Sequence, residues 1–254
     1  MTIPLALLDS RVMVKRSVRR SFRDPEAFFT ALMLPVILML LFVYVFGGAM
    51  DTGVSYVNYV VPGLVLLCAG FGAGTTAVSV AHDMSNGIVD RFRSMPITGS
   101  SVMVGHIVAS IVRNLIATTL VIGVALLVGW RPTGGVLDWL AAIGVVLLFI
   151  LAISWFAAAA GLLAGNPEAA NGFTMILMFL PYVSTAFVPA DTLPSWLRGF
   201  AEHQPVTPII ETLRGLWMGT PIGHQAWWAM AWCVGIIAVS APAAAWLFNH
   251  RTSK

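Results

Sequence analysis

Six blocks of the chain are apolar over the length needed to cross a membrane, and glycine, proline, asparagine or a charge closes each of them. The first, residues 28–46, has 19 positions without a charged side chain. As a helix rising about 1.5 Å per residue, it reaches across a hydrocarbon core of about 30 Å. Comparable blocks cover 57–81, 102–129, 137–164, 171–188 and 225–248. His106, Arg113 and Asn114 interrupt the third and Pro181 the fifth, yet both keep a spanning length. The pattern predicts an all-α polytopic membrane protein, one transmembrane domain over 1–254 with six transmembrane helices.

Composition agrees with this reading. Of the residues, 58% are apolar and 10% charged, against about a quarter charged in soluble proteins, which excludes a soluble globule. The net charge of +3 acquires meaning from its placement. Arg11, Lys15, Arg16, Arg19, Arg20, Arg23, Arg91, Arg93, Arg251 and Lys254 fall on one side of the six blocks, and only Arg131, Arg198 and Arg214 on the other. Cations resist translocation, so both termini are expected in the cytoplasm, in a bacterial inner (cell) membrane. The same distribution argues for membrane lipids and not nucleic acid as the partner of the basic residues. Cys68 and Cys233 sit inside apolar blocks with no metal-type spacing, so neither a disulfide framework nor a metal site is expected.

Residues 1–26 carry Leu5, Leu8, Val12, Val18 and Phe22 along one side of a helix and the arginines along the other. This is the pattern of an amphipathic helix in the membrane interface, and no small-residue cleavage pattern follows it. Such a helix serves as an anchor, as a dock for a cytoplasmic partner, or as both.

Several chemistries have no residues to carry them. A phosphate-binding loop needs lysine directly after glycine, whereas Lys15 follows Val14 and Lys254 follows Ser253. Any ATP that drives this protein is therefore hydrolysed by another polypeptide. All 11 acids lie outside the blocks or at their ends, among them Asp83, Asp138 and Glu168. That weighs against an ion-coupled transporter, which, with a non-transporting scaffold, is the alternative reading. There is no His-Glu-x-x-His or Gly-x-Ser-x-Gly pattern, so no catalytic residues are expected.

Two connections and one stripe remain as candidates. The inside connection runs from Ala81 to Ser101, where Ile88, Phe92 and Met95 share one face of a short helix ended by Pro96. It fits a groove in a cytoplasmic partner, or else a surface helix folded onto the membrane. The outside connection, 189–224, is too apolar for an exposed loop and suggests one or two short helices dipping into the outer leaflet, with Trp196 and Trp217 at headgroup level. On the third block His106, Ser110, Arg113, Asn114 and Thr118 form a polar stripe. Arg113 either lines a pathway or pairs with Asn114 or a neighbouring helix. Thr75 and Ser79 on the second block, and Asn171 and Phe179 on the fifth, offer further lining residues for a low-polarity path.

The segment Gly87-Ile88-Val89-Asp90-Arg91-Phe92-Arg93-Ser94-Met95-Pro96-Ile97 resembles the signature region of ABC type-2 permeases, the membrane subunits of daunorubicin-resistance-type exporters. The stretch from Leu193-Pro194-Ser195-Trp196 through Pro205, Pro208, Glu211 and Arg214 to Gly219 is similar to the family's segment before its last helix. The resemblance implies a permease that exports a hydrophobic or amphipathic compound. Its partners would be two cytoplasmic ABC ATPase subunits per complex and a second copy of itself or a sister permease. ATP and Mg would sit on the ATPases and no cofactor on this chain. The helix at about 83–97, with Gly87, Ile88, Asp90, Arg91, Phe92, Arg93, Met95 and Pro96, would couple to the ATPase. Residues 27–164 would hold spans one to four, 171–188 the fifth and 225–248 the sixth, with 189–224 re-entrant and carrying Pro194, Trp196, Pro205, Pro208, Glu211 and Arg214.

Overall fold

A computed structural model describes residues 11–19, 25–50, 52–86 and 99–251, and among them every regular element is helical. In chain order they are α1 (11–19), α2 (Pro25–Leu40, continued as a π-helical turn Leu41–Phe46), α3 (Tyr56–Ser85), α4 (Gly99–Val128) and α5 (Val136–Ala164). Then follow α6 (Pro167–Phe179), α7 (Ser195–His203), α8 (Val206–Met218) and α9 (Gln225–Arg251). Four of these, α3, α4, α5 and α9, are long and apolar enough to cross a membrane, and they overlie the second, third, fourth and sixth blocks.

The fifth block departs from expectation, because it is not one helix. Asn166 starts α6 by accepting from the Ala169 amide at 2.7 Å, with Pro167 in the first turn. The α-helix then stops at Phe179 and tightens into a 3-10 turn, Leu180–Val183. Pro181 has no amide hydrogen and its ring crowds the preceding turn, which ends the helix despite the apolar run. Ser184 secures the break, donating to the Pro181 carbonyl at 2.6 Å and accepting from the Ala186 amide at 3.0 Å.

α3 is the central post, contacting α2, α4, α5, α6 and α8. Val60, Leu64, Leu67, Ala73 and Ala77 are fully or almost fully buried, in one core cluster with Ile150 and Ala157 of α5 and Ile209 and Leu213 of α8. Helices in lipid gain little from apolar burial alone, so they associate where small residues let backbones close up. At Gly161 of α5 an added Cβ would overlap the Ala77 carbonyl of α3, and at Gly72 it would overlap the Asn114 side chain of α4.

The bundle has two distinct ends. At one, Met13 of α1 packs with Val80, Val102, Met103, Leu162, Ala244 and Phe248, which brings α1 to where α3, α5 and α9 finish and α4 begins. At the other, Tyr56 donates to the Phe187 carbonyl at 3.0 Å, Arg131 donates its amide to Asn58 at 3.2 Å, and the Thr133 amide bonds the Trp217 carbonyl at 2.8 Å.

Leu5, Leu8 and Phe22 lie outside the described residues, but Val12 is 62% exposed, while Met13 and Ser17, one turn apart, are buried. The reason is Gly105 of α4, which lets α1 approach until a Cβ there would stand 3.1 Å from the Met13 carbonyl and the Ser17 hydroxyl. Trp217 is buried, edge-on to Trp130 at 5.2 Å and beside Trp139 at 5.9 Å, whereas Trp196 is open.

Gly161→Val forces α3 and α5 apart, since the obstacle is backbone and cannot rotate away. The variant is expected to lose about 1–3 kcal/mol, read as a lowered thermal unfolding midpoint in detergent; an unchanged midpoint contradicts this packing.

Candidate functional site

A polar chain crosses the middle of the bundle from helix to helix. Arg113 of α4 donates from Nη2 to the Thr76 hydroxyl at 2.7 Å and to the Gly72 carbonyl at 3.0 Å, both on α3. Thr76 donates to Ser110 Oγ at 2.9 Å, and Ser110 meets Ser154 Oγ of α5 at 2.8 Å. Asn114 turns its amide to the Ser110 carbonyl at 3.0 Å, in the space that Gly72 leaves open. Thr76 accepts from Arg113 and donates to Ser110, which in turn joins Ser154, so the buried groups stabilise one another across three helices.

At the end of the bundle that holds α1, Asp83 is 1% exposed. Its carboxylate lies 3.3 Å from Nε2 of His106 on α4 and 3.7 Å from the guanidinium of Arg16 on α1, with Nδ1 of His82 at 4.0 Å. Three elements thus converge on one acid.

At the opposite end Arg214 of α8 binds four groups. It donates to Glu211 at 2.6 Å, to the Thr185 carbonyl at 2.9 Å and to the Tyr59 carbonyl at 3.2 Å, and its guanidinium lies 3.8 Å over the Tyr59 ring. Glu211 also accepts the Thr185 hydroxyl at 2.6 Å. Glu211 and Thr185 then form part of a cleft of about 560 Å³ between α7, α8 and the start of α9, with Glu202, His203, Trp228 and Trp232. Its size suits a drug-sized molecule, and its wall combines carboxylates with indoles.

The expected site residues do not gather in one place. Ser110, Arg113 and Asn114 share the central chain, and His106 belongs to the Asp83 group. Thr75 is half-buried and bonded to the Gly72 carbonyl at 2.8 Å; Ser79 is half-buried. Asn171 and Phe179 are exposed on α6, which touches α3 where Thr174 meets Gly74. Of the outer set, Pro194 precedes α7 and is exposed like Trp196, Pro205 is half-buried before α8, and Pro208 is buried within it. Gly87, Ile88, Asp90, Arg91, Phe92, Arg93, Met95 and Pro96 lie outside the described residues. Sequence reasoning missed the tie between Arg16 and Asp83 and the part played by Ser154. A carboxylate closing an otherwise uncharged block, and a lone hydroxyl in an apolar one, were the available signals.

Residues 10–218 match the ABC-2 type transporter family, and the chain belongs to it. It is 28% identical over 231 residues to the daunorubicin resistance ABC transporter permease protein DrrB1 of Streptomyces coeruleorubidus, covering 90% of this chain and 82% of that one. It is 26% identical over 239 residues to the probable doxorubicin resistance ABC transporter permease protein DrrC of Mycobacterium tuberculosis, covering 93% and 87%. A putative transport permease, ycf38 of Pyropia yezoensis, is 22% identical over 219 residues, covering 82% and 73%. The chain is thus a membrane subunit of an ABC transporter, and the family implies an ABC ATPase as its partner.

Removing the hub of the Arg214 group should cost more than neutralising its acid. Arg214→Ala strands Glu211 and two carbonyls, a loss of roughly 3 kcal/mol, whereas in Glu211→Gln the amide oxygen still accepts from Thr185 and the loss is about 1 kcal/mol. Unfolding midpoints in detergent that fall equally would refute the ranking.

Proposed function

We propose that this protein is the permease subunit of an ATP-driven exporter that moves a hydrophobic or amphipathic compound out of the cytoplasm or the inner leaflet of a bacterial inner membrane. The observation that carries the reading is similarity over nine-tenths of the chain to permeases named for daunorubicin and doxorubicin resistance. The lysines support it too, since neither follows a glycine and the ATP site must be elsewhere. ATP and Mg bind the partner ATPases, two per complex, and a second copy or a sister permease completes the path.

In this reading the chain crosses six times with both termini cytoplasmic. What supports it is the alternation of ends: α1 meets the finish of α3, α5 and α9, while the start of α3, the loop after α4 and α8 meet at the other end. α2 with its π-turn supplies one further crossing, about 33 Å at helical rise, and α6 with the 3-10 turn after it supplies the other. Within the coupling helix expected at about 83–97, the stretch with Gly87, Ile88, Asp90, Arg91, Phe92, Arg93, Met95 and Pro96 is the contact that ATPase closure pushes. Residues 189–224 are the outer re-entrant hairpin, held by Glu211 and Arg214. The path runs past Thr75, Ser79, Asn171 and Phe179 to the outer cleft. Ser110, Arg113 and Asn114 brace α3, α4 and α5 beside it, and His106 marks its inner end. ATP binding shifts the populations of inward- and outward-open states through its preference for one of them.

Doxorubicin uptake by inside-out vesicles tests this. It should need ATP, persist when proton and sodium gradients are dissipated, and fall about tenfold (1.4 kcal/mol of coupling) in Arg91→Ala/Phe92→Ala with membrane insertion unchanged. Uptake that follows the gradients and ignores ATP would overturn the reading.

A further inference from the structure

Asp83 sits where a carboxylate is poorly placed. It is buried, and it lies in the last turn of α3, where the carbonyl end of the helix dipole opposes a negative charge. Among the described residues three groups lie against it: His106 on α4 at 3.3 Å, Arg16 on α1 at 3.7 Å and His82, one residue before it on α3, at 4.0 Å. An apolar trio of the same volume would hold these helices without the desolvation cost. A charge cluster adds direction: it ties particular elements and loosens if any one of them moves alone.

The positions of those elements are informative. Asp83 stands two residues before the end of α3, and His106 seven residues after the start of α4. In the chain α3 precedes and α4 follows segment 87–98, and the 3.3 Å approach of Asp83 and His106 brings the end of one beside the start of the other. Met13 and Ser17 are buried against α4 and set the rotation of α1 so that Arg16, between them, meets the same carboxylate.

We propose that Asp83 is the positioning residue that makes α1, α3 and α4 respond to segment 87–98 as one body. A push delivered there by the ATPase then reaches the central post and the N-terminal helix together. The proposal rests on the reading of 87–98 as the ATPase contact.

The test uses the complete ATPase–permease complex in liposomes and needs no knowledge of the substrate. Gln225→Cys places a thiol in the outer cleft, while the native Cys68 and Cys233 are buried. Its rate of reaction with a fluorescent maleimide is measured with and without ATP. In the parent the rate changes on ATP addition. In Asp83→Asn the ATP-dependent change should shrink about tenfold while ATPase subunits still co-purify. The exchange Arg16→Asp/Asp83→Arg should recover part of it, which a purely structural role would not predict. Arg16→Gln, on the solvent side of the group, should show a smaller loss and carries the test if Asp83→Asn does not assemble. A change retained in full in Asp83→Asn or Arg16→Gln overturns the proposal alone. A parent that binds no ATPase and ignores ATP overturns the exporter reading, and this inference with it.

Discussion

Close backbone approach around α3 is the constraint on which the rest of the structure depends. Lipid tails compete on equal terms with leucine for leucine, so the bundle is held where glycine and alanine admit a neighbouring helix and where hydroxyls and one arginine bond across the gap. Gly161 against Ala77, and Gly72 against Asn114, bring α5 and α4 onto α3. The chain Arg113–Thr76–Ser110–Ser154 then fixes the rotation of all three. With the middle so defined, the two ends can be built as separate polar groups.

Those ends differ in ways that suit different tasks. The Asp83 group joins α1, α3 and α4 through long side chains at 3.3 to 4.0 Å, a contact that can be remade when the elements shift. The Arg214 group is tighter, with several bonds of 2.6 to 3.2 Å and a stacked ring, and it fastens α8 to the first turn of α3.

Much of this was legible in the sequence because lipid imposes a simple rule on segment length. The second block, 57–81, became Tyr56–Ser85, and the fourth, 137–164, became Val136–Ala164. The break at Pro181 was visible as a residue but outweighed by the apolar run around it. Trp217 could not be placed from its neighbours, since its burial depends on Trp130 and Trp139, far away in the chain. The sequence leaves Arg113 either lining a pathway or pairing with Asn114 or a neighbouring helix; in the structure it bonds α3, and Asn114 bonds Ser110. Long-range pairs such as Arg16 with Asp83 leave no local pattern, because nothing in the spacing of either residue points to the other. The cleft between α7, α8 and α9 is likewise a product of three elements meeting, and only its indoles and acids were visible beforehand.

The central claim is that this chain transmits force from an ATPase it does not contain. Affinity purification of the tagged protein from its own membranes in mild detergent tests that most directly, with co-purifying polypeptides identified and ATP hydrolysis measured. The account predicts a polypeptide with a phosphate-binding loop, at about one per permease, and ATPase activity in the complex. A pure permease without such a partner, still able to transport in liposomes on an ion gradient alone, would contradict it.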